Sequence, residues 1–252
     1  MEFEARLTEE TCVLVLDIGG GTTDCSMVRV GPKLRHKRDR QDDVLGHSGE
    51  RIGGNDYDQL LALKTVMPAL GYGDHLASGL PIPNTYFVDA VSTNDVNAQQ
   101  RFYAKRTMLE LERLAREAQF PDGVRRLLEL ARSRQTYRLV STAETAKIAL
   151  SDIEQVTLEL EYLEPQLAAR ASRDDLKASC ERLLEHLAGL IDEVVAGAGQ
   201  APDVVYLTGG MSGSIIVREF LERCLPNANF VDSDHFASVT EGLAIWADRI
   251  YR

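Results

Sequence analysis

The chain has 252 residues, 44% of them hydrophobic, enough for one large domain or two compact subdomains around a proper core. Its 39 acidic against 28 basic side chains leave a formal net charge of -11, a field that repels nucleic acid and anionic lipid and excludes both as general partners. No run approaches the roughly 18 apolar residues of a membrane helix, and no signal peptide is recognised at the start. The four cysteines, Cys12, Cys25, Cys180 and Cys224, share no CxxC spacing, so buried thiols in a reducing cytoplasm are expected rather than disulfides or a metal site.

In chain order, residues 12–17 (CVLVLD) read as a fully buried strand, and residues 24–30 (DCSMVRV) as an alternating one ended by Gly31-Pro32. A third strand is expected within 34–45, making a meander with a glycine corner at its first turn. The basic run at 33–40 (KLRHKRDR) looks like an exposed strand or hairpin rather than a docking patch. Residues 53–70 read as a helix with Asn55 or Asp56 near its cap and Pro68 near its end. A Gly/Pro/Asn-rich excursion at 71–96, with a short strand near 86–91, precedes two helices between 99 and 134 that break at Pro121-Asp122-Gly123.

Residues 141–151 (STAETAKIALS) are expected as a helix and 156–160 as a strand. Residues 172–196 form a long amphipathic helix opened by Ser172-x-x-Asp175. A strand at 204–208, a glycine turn, a helix at 214–224, a strand at 229–231 and a helix at 236–251 finish the chain. That regular finish predicts an α/β fold with helices packed on a mixed sheet.

Three constellations carry chemistry. In LVLDIGGGTTD (14–24), Gly19, Gly20 and Gly21 leave no Cβ to block a phosphate, and Thr22 and Thr23 offer hydroxyls. Asp17 suits capture of Mg²⁺ through its waters, because that ion dehydrates reluctantly. This is no Walker loop, since no GK[ST] follows. In LTGGMSGS (207–214) a glycine turn follows a buried strand and opens a helix, where backbone N–H groups can face an anion. Ser141-x-x-Glu144 reads as a capping box, yet Glu144, Lys147 and Ser151 also share a helical face that could grip a ribose.

Together these segments resemble the second ATPase lobe of the actin, sugar-kinase and heat-shock ATPase superfamily. LVLDIGGGTTDCSMV is similar to the second phosphate motif of DnaK-type chaperones, VVYLTGGMSGSIIV to their adenosine motif, RIGGNDYDQLL to their LGGEDFD segment, and AETAKIALS to their adenosine-contacting helix. LGHSGERIGGNDYD, TYRLVSTAETAKIALS and SVTEGLAIWA resemble the YegD-type branch, which lacks a substrate-binding domain. The resemblance implies an actin-like (ribonuclease H-like) α/β lobe, a mixed sheet with flanking helices plus an outer, mainly helical subdomain. The core would be 11–58 with 136–252, the outer subdomain 59–135, and 1–10 a linker from a first lobe.

It further implies ATP or ADP with Mg as ligands. Asp17 and Thr22 would be the catalytic candidates, with Asp17 organising the metal through water and Asp24 supporting the hairpin or its waters. Gly19, Gly20, Gly21, Thr22 and Thr23 would meet the β- and γ-phosphates. Glu144, Lys147, Ile148 and Ser151 would hold the nucleoside, while Gly209, Gly210, Met211 and Gly213 would line the ribose and α-phosphate side. Two positions depart from the family: Gly213 stands where an arginine stacks on adenine, and Met211 where a small hydroxyl residue is usual. The DxGT turn and lysine of a first lobe are not found, so the chain is expected to need that lobe as partner and not to hydrolyse ATP alone. Clients or co-chaperones in the cytoplasm are the other implied partners. A small-molecule kinase lobe and a non-catalytic ATP-sensing scaffold stay open as alternatives.

Overall fold

In the computed structural model, the described residues are Glu4, 7–35, 37 and 39–232. The elements run β1 (Thr11–Ile18), β2 (Thr23–Val30), β3 (Val44–Glu50), α1 (Gly54–Thr65), α2 (Thr85–Val91), α3 (Val96–Phe102), α4 (Lys105–Glu117), α5 (Pro121–Ser133) and α6 (Thr136–Ala149). They continue with β4 (Gln155–Glu159), β5 (Ala168–Ser172), α7 (Arg173–Ala198), β6 (Val204–Thr208), α8 (Ile215–Cys224) and β7 (Asn229–Asp232). Two compact units divide the chain: Met1–Gly54 with Arg182–Arg252, and Asn55–Glu181.

The first unit is built on a five-stranded sheet in the order β3-β2-β1-β6-β7. β1 and β2 are antiparallel, β2 and β3 likewise, whereas β6 runs parallel to β1 and β7 parallel to β6. The sheet is therefore mixed. β1 lies at its centre and is covered on both faces, which explains an apolar run without alternation: Val13, Leu14, Leu16 and Ile18 are all buried. α8 buries Ile216, Val217 and Leu221. The backbone of α7 comes so close to β3 that a Cβ on Gly46 would sit 3.0 Å from Val194 O.

The expected strand at 34–45 forms later, at Val44–Glu50, after a segment in which Lys37 and Arg40 converge on the buried Asp43. Arg40 Nε donates to Asp43 Oδ2 at 2.6 Å, Lys37 Nζ lies 3.1 Å from Asp43 Oδ1, and Arg40 Nη2 donates to Arg29 O at 3.0 Å. Buried Glu4 sits 3.2 Å from Arg40. These pairs clamp a loop, and none of the described residues of 33–40 is in a strand.

The second unit is mainly helical, with β4 and β5 as a two-stranded sheet. The helix expected over 53–70 stops at Thr65 and resumes as a 3-10 turn, Met67–Leu70, where Pro68 removes a backbone donor. The segment expected as a strand near 86–91 is helix α2, with Phe87, Ala90 and Val91 buried at helical spacing. A third helix, α3, precedes the expected two; Asp95 caps it by accepting from Asn97 N at 2.8 Å and Ala98 N at 3.2 Å. α6 begins at Thr136, so Ser141 lies inside the helix and Ser141-x-x-Glu144 is not a capping box. β5 (AARAS) was not expected from its composition. The helix expected at 236–251 lies outside the described residues.

The box opening α7 forms as its sequence suggests. Ser172 Oγ accepts from Asp175 N at 3.1 Å, while Asp175 Oδ2 accepts from Ser172 N at 3.0 Å. Replacing Ser172 with alanine is expected to cost about 1 kcal/mol, read as a lower urea midpoint at unchanged slope. An unchanged midpoint would show that the cap adds nothing to a helix already held by burial.

Candidate functional site: two glycine turns and the face of α6

The turn between β1 and β2 is closed by Gly19 N donating to Thr22 O at 2.9 Å. Gly20, Gly21 and Thr22 are exposed at its tip. Thr23 is not: it is buried, and its hydroxyl donates to Ile52 O at 2.7 Å. Of the two threonines, Thr22 is the one presented outward. The start of α1 buttresses the turn, with Gly54 N donating to Gly19 O at 2.8 Å. A Cβ on Gly53 would stand 2.5 Å from Gly21 N, so only glycine lets the backbones lean together.

The second glycine turn sits beside the first because β6 runs parallel to β1, with Asp17 opposite Thr208. Both turns therefore leave the carboxyl ends of neighbouring strands, where open α/β sheets place their ligands. Gly209 has φ +83°, and a Cβ there would lie 2.6 Å from both Asp17 Oδ1 and Ile18 C. Met211 N donates to Ile18 O at 3.1 Å and its side chain is buried, so this residue ties the turn to β1 and offers no side chain outward. Ser212 Oγ donates to Gly209 O at 2.7 Å. Gly210 and Gly213 are exposed, and an added Cβ would meet nothing within 4 Å at either.

Asp17 is half-buried at the end of β1, facing Asp24 across the β1–β2 ladder. Burial pushes its carboxyl above the ordinary range, and the charge of Asp24 adds to the shift. Like charges on directly opposed strand positions repel, so the pair costs energy. Among the described residues no group of three or more His, Cys, Asp or Glu could hold a metal. Two carboxylates beside an open glycine turn fit a hydrated Mg²⁺ that keeps its waters and borrows phosphate oxygens, and do not fit an all-protein cage.

The remaining predicted residues form a second cluster, on and after α6 in the other unit. Glu144 is exposed and Ile148 is 61% exposed, an apolar side chain presented to solvent. Ser151 is half-buried in the turn after the helix, where Arg173 Nη2 donates to its carbonyl at 2.9 Å. Lys147 is buried instead, its Nζ 2.8 Å from Asp58 Oδ1. Sequence reasoning missed Asp58. The signal was present: Tyr57, Asp58, Leu61 and Ala62 share the buried stripe of α1, and a carboxylate on such a stripe requires a cation.

The two glycine turns and Asp17 thus lie together at one end of the five-stranded sheet. The chain is 27% identical, over 93% of its length, to the chaperone protein dnaK3 of Synechococcus elongatus and to the chaperone protein DnaK 1 of a Synechococcus species. It is 26% identical over 95% of its length to dnaK3 of Thermosynechococcus vestitus. It spans only 25%, 25% and 28% of those proteins. No protein-family model matches it. The chain is thus similar to DnaK-type chaperones along nearly all of itself, and it has the extent of a partial DnaK-like ATPase lobe. Among the described residues no helix is long and apolar enough to cross a membrane.

Proposed function

We propose that this chain is the nucleotide-binding second lobe of a DnaK-like ATPase with an actin-like fold, taking ATP or ADP together with Mg. The observation that carries the reading is the juxtaposition of the two glycine turns across β1 and β6, with Asp17 between them. The backbone at Gly19, Gly20 and Gly21 and the Thr22 hydroxyl would receive the terminal phosphates. Thr23 would brace the turn from beneath. Gly209 and Gly210 would let ribose and α-phosphate approach the backbone, and Glu144, Lys147, Ile148 and Ser151 would hold the nucleoside. Bound Mg²⁺ would neutralise phosphate charge; Asp17, with Asp24 beside it, would hold that ion's waters and gain relief from their mutual repulsion.

Phosphoryl transfer needs charge stabilisation on both sides of the γ-phosphate. Hydrolysis would therefore belong to a protein in which a first lobe closes on this one, with clients or co-chaperones as further partners and the cytoplasm as the setting. Open space at Gly213 favours a variant of this reading, an ATP-sensing lobe with a weaker hold on the base.

Calorimetric titration with Mg-ADP tests the proposal. The wild-type chain is expected to release binding heat, and Asp17→Ala to weaken Mg-ADP about tenfold while leaving metal-free ADP unchanged. No heat from a wild-type chain with an intact circular dichroism spectrum would overturn the reading.

A further inference from the structure

α6 carries a second polar row, turned away from Glu144, Lys147 and Ile148. At about 3.6 residues per turn, Arg138, Thr142, Thr145 and Ala149 fall within roughly 60° of one another on the opposite side of the helix. Between that row and β4 lies an open cavity of about 330 Å³, within the size range of small-molecule sites. All of its lining belongs to the Asn55–Glu181 unit. Ala146, Ala149, Val156 and Leu158 make its apolar wall, and the two alanines leave room that larger side chains would fill.

Two polar groups on this cavity lack what they need. The Arg138 guanidinium lies on the Tyr162 ring, 4.3 Å from its centre, and among the described residues no carboxylate pairs with it. A guanidinium stacked on a ring keeps its N–H edge for a planar oxyanion. The Tyr162 hydroxyl is a buried donor without an acceptor. Burial raises its pKa, and Thr142 and Arg138 oppose the rise. The Thr142 hydroxyl nevertheless gives its own proton to Arg138 O at 2.9 Å and makes no aligned bond to the phenol. Glu159, the one carboxylate among the described residues that line the cavity, alternates with buried Leu158 along β4 and is exposed.

We propose that this cavity binds a small aromatic carboxylate, its flat body against the alanines and Val156 and its carboxylate between the Arg138 guanidinium and the Tyr162 hydroxyl. One planar anion supplies both the missing counter-charge and the missing acceptor, and a guanidinium can meet it through two parallel hydrogen bonds. The wall offers side chains without polar atoms, which suits a ring better than a sugar or a second charge. The glycine turns belong to the other unit, so this site does not depend on the nucleotide reading.

2-Naphthoate is the probe, because it is planar, ionised at neutral pH and fluorescent, so its own emission reports binding. The wild-type chain is expected to bind it in the micromolar-to-millimolar range, about tenfold more tightly than uncharged 2-naphthamide of the same shape. Arg138→Met, which keeps the stem and removes the charge, is expected to weaken naphthoate about tenfold and leave naphthamide unchanged. Tyr162→Phe, which keeps the ring and removes the donor, is expected to weaken naphthoate about fivefold. Ala149→Leu fills the cavity and is expected to abolish binding of both, whereas saturating Mg-ADP leaves naphthoate bound. Circular dichroism checks each fold, and where a variant does not fold, the naphthoate–naphthamide comparison on the wild-type chain decides. No naphthoate binding at millimolar concentration, equal affinity for the amide, a folded variant that binds naphthoate like wild type, or displacement by Mg-ADP overturns the proposal.

Discussion

Gly209→Ala is expected to lower the unfolding free energy by about 3 kcal/mol in a urea titration. Two independent penalties meet at this position. The backbone holds φ at +83°, which an L side chain rarely adopts, and the new Cβ would press within 2.6 Å of Asp17 Oδ1 and Ile18 C. Those atoms belong to the end of the central strand and cannot yield without moving Asp17. Gly210→Ala is the internal control, since its Cβ would meet nothing within 4 Å and it is not among the positive-φ glycines. A change within about 0.5 kcal/mol is expected there. Equal effects at the two positions would mean that the turn is not packed against β1 as described.

Lys147→Met should cost about 3–5 kcal/mol at pH 7.5, because it leaves Asp58 buried without its cation. The loss should shrink in acid. Asp58 has a folded value near 6 against an ordinary 3.8, and removing the ammonium raises the folded value further. An acid with a raised folded value binds more protons folded than unfolded between those limits, so stability falls as pH climbs through that window. The variant's deficit is therefore largest at pH 7.5 and smallest near pH 4.5. A deficit of the same size at both would remove charge from the explanation and leave only lost packing.

The elements that could be read from the chain alone are those whose pattern has a single physical cause. β1 is apolar without alternation because both of its faces are buried, and α7 opens on a reciprocal cap that its residues announce. Where one pattern serves two causes, reading fails. Alternating charge at 33–40 suits a strand, but Asp43 holds Lys37 and Arg40, and Glu4 holds Arg40, in a loop. Residues 85–91 are rich in aromatic and β-branched types, yet Phe87, Ala90 and Val91 follow the helical period, and packing outweighs propensity there. β5 owes its existence to its ladder with β4 rather than to its alanines.

At the candidate site both glycine turns were legible, because tight turns constrain residue type. Their side-by-side placement was not, since it depends on a parallel pairing between the two ends of the chain. The Ser141–Glu144 spacing marks a cap and a helix interior equally well, and only the start of α6 at Thr136 separates them. Asp58 could be found as a carboxylate on an apolar stripe, but its cation could not, since Lys147 lies far along the sequence on another helix.

That long-range pairing also sets an order of assembly. Cys12 N reaches Asp203 Oδ2 at 2.8 Å across a separation of 191 residues, and β1 takes β6 as its parallel neighbour over the same span. Asn55–Glu181, by contrast, is one unbroken stretch and can close its contacts as it is made. During synthesis β1 finds β2 at once but waits for a strand 191 residues further on, as in Val13 opposite Val204, before β6 covers its other edge. Until then an apolar strand edge stands open, the kind that captures other unfinished chains. The strand at the centre of the finished sheet thus keeps one edge open until its distant neighbour is made.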